Sequence, residues 1–364
     1  MIDLRAQYAP ILPEIQSAVA RVFETCQFRG GPELDAFEAE AASFAGVRHA
    51  IGVASGTDAL WLAIKALNPR PGDEIITSPF TFFATAGAIV NAGAVPVFAD
   101  IDPDTFNIDP ASVARLVSPR TIAVLPVHLY GQCADMDPLG EIARRHGLAV
   151  IEDCAQALGA TYREQRAGSL GDMAACSFYP TKNLGAAGEG GMVFTNDDGL
   201  ASMVRKLRCH GGSVQYQHEM VGVNSHLHAI QAAILRVKLR YLPGWNAARR
   251  EKAQRYRELL NGLNGARLPV ERPDREHVYH QFVIRIPRRD DAVKLFRERG
   301  IGCGVFYPVP LHRQPCFAPW TVNVSCPNAE TAAREVLALP IYPELSDAQQ
   351  EEVADAIRLH LSQG

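Results

Sequence analysis

Residues 121–153 read TIAVLPVHLYGQCADMDPLGEIARRHGLAVIED. The run 121–127 (TIAVLPV) is continuously apolar, as in a strand buried on both faces. A helical pattern occupies 135–146, and 148–152 (LAVIE) is strand-like again. Strand, helix, strand in this order is a βαβ unit with parallel strands. The alternation continues on both sides. Strands are expected at 50–54, 74–78, 95–99, 173–178 and 191–195, with helices at 57–67, 81–92 and 110–117 between most of them. Seven strands of this kind predict an α/β fold with a mostly parallel sheet covered by helices. Helical patterns at 10–25 and 33–44 precede this core.

Beyond it, apolar residues recur at helical spacing over 226–240 (HLHAIQAAILRVKLR) until Pro243 and Gly244 interrupt the pattern. A charged helix at 246–260, a strand at 281–286 and helices near 290–299, 328–337 and 347–361 follow. These expectations divide the chain into a large α/β domain, 1–245, and a smaller C-terminal α+β domain, 246–364. A chain of 364 residues is long enough for both.

Composition excludes several function classes. Hydrophobic residues make up 47% and charged ones 21%, a globular balance. Net charge is −4 without a block of like charges, so no nucleic-acid or membrane-surface footprint is expected. No apolar run approaches the ~18 residues of a membrane helix, and Met1-Ile2-Asp3-Leu4-Arg5 lacks the apolar stretch of a signal peptide. The eight cysteines form no C-x-x-C pair and read as reduced thiols of a cytoplasmic protein. With no H-x-x-x-H beside a carboxylate, no metal site is expected.

Three stretches carry chemistry. Ser55-Gly56-Thr57-Asp58 follows a strand and opens a helix, whose free N–H groups suit either a phosphate or an ordinary N-cap. Asp153 ends the strand 148–152, where parallel sheets bind ligands and where a carboxylate can face a cationic ring nitrogen or simply cap a helix. The third stretch runs from Ser177-Phe178-Tyr179-Pro180-Thr181-Lys182 to Gly190-Gly191. It delivers a serine from a strand, a lysine from a turn and a glycine run into the next strand. Buried lysines lose their proton readily and become nucleophiles, whereas most loop lysines are solvated surface.

In order and spacing these stretches resemble the DegT/StrS family of sugar aminotransferases, pyridoxal-phosphate (PLP) enzymes of fold type I. The resemblance extends from Gly31-Pro32-Glu33 to Leu339-Pro340-Ile341-Tyr342-Pro343. It implies that Lys182 binds pyridoxal 5'-phosphate as a Schiff base and shuttles a proton. Asp153 would keep the pyridine nitrogen protonated, Gln156 would bond the ring's 3-oxygen, and Phe82 would stack on the ring. Gly56, Thr57 and Ser177 would hold the phosphate. Asn224, in Gly222-Val223-Asn224-Ser225, matches an asparagine that reaches the phosphate of the other subunit, implying a homodimer with shared active sites; an N-cap of the helix 226–240 is the structural alternative. Many relatives carry arginine where this chain has His226, a residue charged part of the time near neutral pH. His280, Tyr307 and His312 lie in segments resembling those near the substrate. The substrates implied are L-glutamate as amino donor and a nucleotide-diphosphate keto-sugar, with a lean toward the 3-keto position.

Rival readings are a sugar dehydratase on the same fold, a PLP-binding regulator without turnover, and a dinucleotide-dependent oxidoreductase. Lys182 stands where dehydratases of the family carry histidine, and no G-x-G-x-x-G follows the first strand.

Overall fold

The computed structural model describes residues 2–363; Met1 and Gly364 lie outside the described residues. Helices α1 (Leu4–Tyr8), α2 (Leu12–Thr25) and α3 (Pro32–Ala45) lead to strand β1 (His49–Val53). Then come α4 (Gly56–Ala66), β2 (Glu74–Thr77), α5 (Phe83–Asn91), β3 (Val95–Phe98), α6 (Pro110–Leu116), β4 (Thr121–Leu125), α7 (Met136–His146) and β5 (Ala149–Asp153). A two-residue hairpin, β6 (Thr161–Tyr162) and β7 (Gln165–Arg166), precedes β8 (Met173–Ser177), β9 (Gly191–Thr195) and α8 (Asp198–Leu207). The chain continues through α9 (Ala229–Leu239), α10 (Leu242–Leu259), β10 (Arg275–Glu276), β11 (Phe282–Arg285), α11 (Arg289–Glu298), α12 (Pro327–Glu335), β12 (Val336–Leu339) and α13 (Asp347–Ser362).

The seven-stranded sheet has the order β1-β9-β8-β5-β4-β2-β3. β8, β5, β4, β2 and β3 run parallel, while β9 is antiparallel to both its neighbours, β1 and β8. Helices α4, α5 and α8 cover one face, and α3, α6, α7 and α9 the other. Burial of all but one position in each explains the apolar runs of β4 and β8.

Three expectations are corrected at the boundaries. Pro243 does not end a helix; it sits in the first turn of α10, where the N–H it lacks would have no partner anyway. α10 runs without a break from Leu242 to Leu259. The helix expected at 328–337 stops at Glu335, because Val336-Leu337-Ala338-Leu339 is wholly buried and pairs antiparallel with β11, Phe282 opposite Leu339. Asn224 caps no helix: α9 begins at Ala229, after His228.

The C-terminal elements build their own core from α10, α11, α13, β11 and β12. A further apolar cluster spans both parts of the chain, joining Phe80, Phe98 and Tyr130 to Val283, Phe317 and Ala338. It holds the stretch containing Tyr307 against the C-terminal ends of the parallel strands.

Candidate active site

The parallel strands end at Asp153. Its backbone N–H donates to Pro126 O at 2.8 Å, and its carbonyl accepts from His128 N at 3.0 Å, which seats it between β4 and β5. The carboxylate is buried, accepting from Thr85 Oγ1 at 2.8 Å and from Ala155 N at 3.2 Å. Burial pushes its pKa up; the Thr85 and Ala155 bonds and the Lys182 charge pull the other way without winning. A carboxylate left short of compensation in this way suits a further cationic partner.

Behind it, Glu152 is fully buried and fully bonded. It accepts from Gly168 N, Leu170 N, Gly171 N and His128 Nε2 at 2.7–2.8 Å. His128 Nδ1 accepts from Ala134 N at 3.1 Å, which assigns the ring proton to Nε2.

Lys182 rides on the connection from β8 to β9. Ala186 N donates to Phe178 O at 2.8 Å and Lys182 N to Tyr179 O at 2.9 Å, closing the connection into a compact loop. Gly185 is needed where the loop folds back, since a Cβ there would lie 2.3 Å from Pro180 O. Burial lowers the Lys182 pKa, and the charge of Asp153 opposes that shift. The Lys182 charge in turn lowers the Asp153 pKa, as expected of two groups facing one space.

Ser55 caps α4 by accepting from Asp58 N at 3.1 Å. Gly56 follows at the helix start, so close to Ser177 that an added Cβ would lie 2.5 Å from the Ser177 Cβ. Backbone of the first turn of α4 and the Ser177 hydroxyl thus form a cradle with no room for a side chain, fit for a phosphate group. Thr57, the next residue of the first turn, is exposed. Ser225 ties the cradle together by accepting from Ala54 N at 3.1 Å and donating to Asp58 Oδ2 at 2.7 Å.

Gln156 is buried, with Oε1 accepting from Tyr130 N at 2.7 Å and Nε2 donating to Tyr307 Oη at 3.1 Å. Among the neighbouring aromatics, Phe80 is fully buried and Phe83 packs on Phe317 with ring centres 5.5 Å apart. Phe82 is 57% exposed and inclined at 44° to the Tyr307 ring, 6.4 Å away, so it has a free face. His280 joins the site through its ring contact with Asn183 Oδ1 at 3.1 Å. Burial, followed by the Lys182 charge, holds it neutral.

His312, Asn224 and His226 have the following surroundings. His312 is buried with Nε2 2.9 Å from Glu330 Oε1. Asn224 is exposed, its backbone bridged to Cys209. His226 meets Arg29 Nη2 at 2.5 Å; burial and the Arg29 charge take its pKa down to about 4. The expectation that it is partly charged near neutral pH is thereby corrected.

Thr85, Ser225 and Asn183 escaped sequence reasoning. Thr85 had one available signal: with Asn91 it is a polar residue in the otherwise apolar helix FATAGAIVN. Ser225 and Asn183 lie inside the quoted stretches, where neither was given a role.

The described residues contain no group of three or more potential metal ligands, and no helix long and apolar enough to cross a membrane. A buried carboxylate, a lysine amine, a phosphate-sized cradle and an aromatic with a free face fit pyridoxal 5'-phosphate.

A profile of the DegT/DnrJ/EryC1/StrS aminotransferase family matches residues 11–358. The chain is 48% identical to the "Pleiotropic regulatory protein" of Geobacillus stearothermophilus over 98% of its length and 97% of the relative's. It is 45% identical to the UDP-N-acetyl-3-dehydro-alpha-D-glucosamine 3-aminotransferase of Acidithiobacillus ferrooxidans, over 98% and 96%. Among solved structures, that of S. venezuelae DesV in complex with a ketimine intermediate superposes with a TM-score of 0.96 at 46% identity, covering 99% of this chain and 97% of that one.

Proposed function

Because the chain belongs to the DegT/DnrJ/EryC1/StrS aminotransferase family, we propose that it transfers an amino group from L-glutamate to the 3-keto position of a nucleotide-linked sugar, with pyridoxal 5'-phosphate as cofactor. The observation that carries this reading is the buried Asp153 carboxylate at the end of β5, held by Thr85 and Ala155, together with the Gly56–Ser177 cradle and the loop that carries Lys182. The name of the A. ferrooxidans relative, a 3-aminotransferase of a UDP-sugar, supports the ketone and its position, and the ketimine held by DesV supports amine transfer.

In this reading the bound cofactor supplies an electron sink for a carbanion at the substrate carbon. Gly56, Thr57 and Ser177 hold its phosphate, Phe82 covers one face of its ring, and Gln156 bonds the ring oxygen. Asp153 faces the ring nitrogen, where a carboxylate favours the protonated form. Thr85 and Ala155 fix the carboxylate's orientation. Lys182 holds the cofactor through its amine; once released, Lys182 Nζ takes the proton from the substrate carbon and returns it. Burial suits it to this task, because it favours the neutral amine that can accept a proton. Tyr307 and His280 border the same space, and we assign them to sugar contacts.

We assign the homodimer to the face carrying Asn224. Near it in sequence lie Tyr216 and Val221, 86% and 92% exposed, apolar surface suited to a second copy. A cytoplasmic setting agrees with eight free cysteines.

A regulator without turnover is the second reading, favoured by the name of the G. stearothermophilus relative. A visible spectrum taken before and after adding glutamate separates the two. Transamination requires a cofactor band that glutamate collapses, with 2-oxoglutarate released. A band indifferent to glutamate favours the regulator, and no band after reconstitution refutes both.

A further inference from the structure

Lys238 on α9 is wholly buried, yet it has no carboxylate partner. Its ammonium donates to Gly185 O and to Tyr8 Oη, the latter at 3.0 Å. It lies 4.3 Å from the centre of the Tyr8 ring and 5.8 Å from that of Trp245. Burying a cation without an ion pair is costly, and this one is compensated only by two oxygens and two aromatic faces. A leucine or methionine would fill the space at lower cost, so the amine's value lies in what it holds.

It holds the loop of Lys182. Gly185 is the residue that folds against Pro180, and the next residue, Ala186, closes the loop onto Phe178. Tyr8 Oη reaches the Ala186 carbonyl at 3.5 Å, so α1 and α9 grip adjacent carbonyls from behind. We infer that Lys238 is a positioning residue for Lys182, anchoring through the Gly185 carbonyl the loop that aims the Lys182 amine at the cofactor. The inference rests on the PLP reading above. Lys238 touches neither cofactor nor substrate and acts through the loop alone.

The test compares the parent enzyme with Lys238→Met, which keeps the volume and removes the donors. Two readouts are taken. In the cofactor-loaded enzyme, the pH midpoint of the visible band should move by about one unit, and kcat should fall about ten- to a hundredfold with KM for glutamate nearly constant, as misaiming of a reacting group requires. In the cofactor-free protein, amide hydrogen exchange at Lys182 and Ala186 should speed up about tenfold, while the amides of β5 keep the parent rate. An unmoved band midpoint with kcat within twofold of the parent overturns the inference, and so do unchanged loop amides. If Lys238→Met does not fold, Tyr8→Phe is read instead. It keeps the Gly185 bond and removes one hydroxyl, so the same shifts should appear at smaller size, and their absence overturns the inference. A parent enzyme without a visible band defeats the PLP reading; the exchange measurement still decides the clamp.

Discussion

Thr85 Oγ1 donates to Asp153 Oδ2 across 2.8 Å, from the first turn of α5 to the end of β5. The same hydroxyl lies 3.0 Å from Thr81 Oγ1, so a short hydroxyl chain backs the carboxylate. Asp153 thus has one oxygen committed to a side chain and the other to Ala155 N. The carboxylate cannot rotate freely, and its orientation is set before any cofactor arrives.

Thr85→Val, isosteric but without the hydroxyl, removes a hydrogen bond to a charged group, about 1.5–3 kcal/mol. It should lower kcat/KM about ten- to a hundredfold and raise the acidic limb of the pH–rate profile, since this bond holds the Asp153 pKa down. Asp153→Asn should cost more, roughly 100- to 1,000-fold. Steady-state kinetics across pH check both; a Thr85→Val profile that matches the parent removes Thr85 from the site.

Lys182→Ala should fold, bind cofactor non-covalently, and lose turnover by roughly 10²–10⁴-fold or more from the missing proton transfer alone. Sodium borohydride treatment followed by mass measurement reads the linkage. A covalent adduct on the alanine variant assigns the amine to another lysine.

Gly56→Ala places a methyl group 2.5 Å from the Ser177 Cβ, inside the cradle. Cofactor affinity should drop by about 1–2 kcal/mol, on the order of tenfold, as read by titration of the cofactor-free protein. Undiminished affinity means that the phosphate lies elsewhere.

Glu152→Ala leaves three backbone N–H groups and the His128 ring N–H without their acceptor. Unfolding in urea should show a loss of about 3–5 kcal/mol. A loss below about 1 kcal/mol contradicts the role of Glu152 as the anchor behind Asp153.

Stability should fall with acid in a window set by histidines. Burial holds the His226 pKa at about 4 and the His277 pKa at about 3, both below the value near 6.5 expected when unfolded. The unfolded chain therefore binds more protons between pH 6.5 and 3, so stability present above about pH 6.5 is lost progressively below it. Thermal midpoints across this range measure the slope, and His277→Gln should flatten it. An unaltered slope in that variant assigns the acid sensitivity to other groups.

The βαβ core was legible because buried parallel strands leave unbroken apolar runs, as 121–127 does. Asp153 and Lys182 were singled out by the family resemblance; taken alone, the strand end fits a capping carboxylate and the turn fits a surface lysine equally well. The reversed direction of β9 was not, since apolar patterning is the same whichever way a strand runs. β12 was hidden because Val336-Leu337 extends the apolar spacing of α12 and only pairing with β11 reveals its state. Tyr307 meets Gln156 from across a long stretch of chain, a contact no local pattern encodes. Thr85 looks like ordinary helix filler until its partner is known.

The place of β9 between β1 and β8 also dictates when the molecule can be completed. β1 sits at the sheet edge with β9 as its only neighbour among the described residues, His49 opposite Thr195 and Val53 opposite Gly191. A ribosome has to deliver the residues of β9 before β1 gains a partner, so the early-made Gly56 loop waits for a late-made strand. Nascent chains arrested before Gly191 lack the strand that brings Gly56 beside Ser177, which ties cofactor capture to the later stages of synthesis.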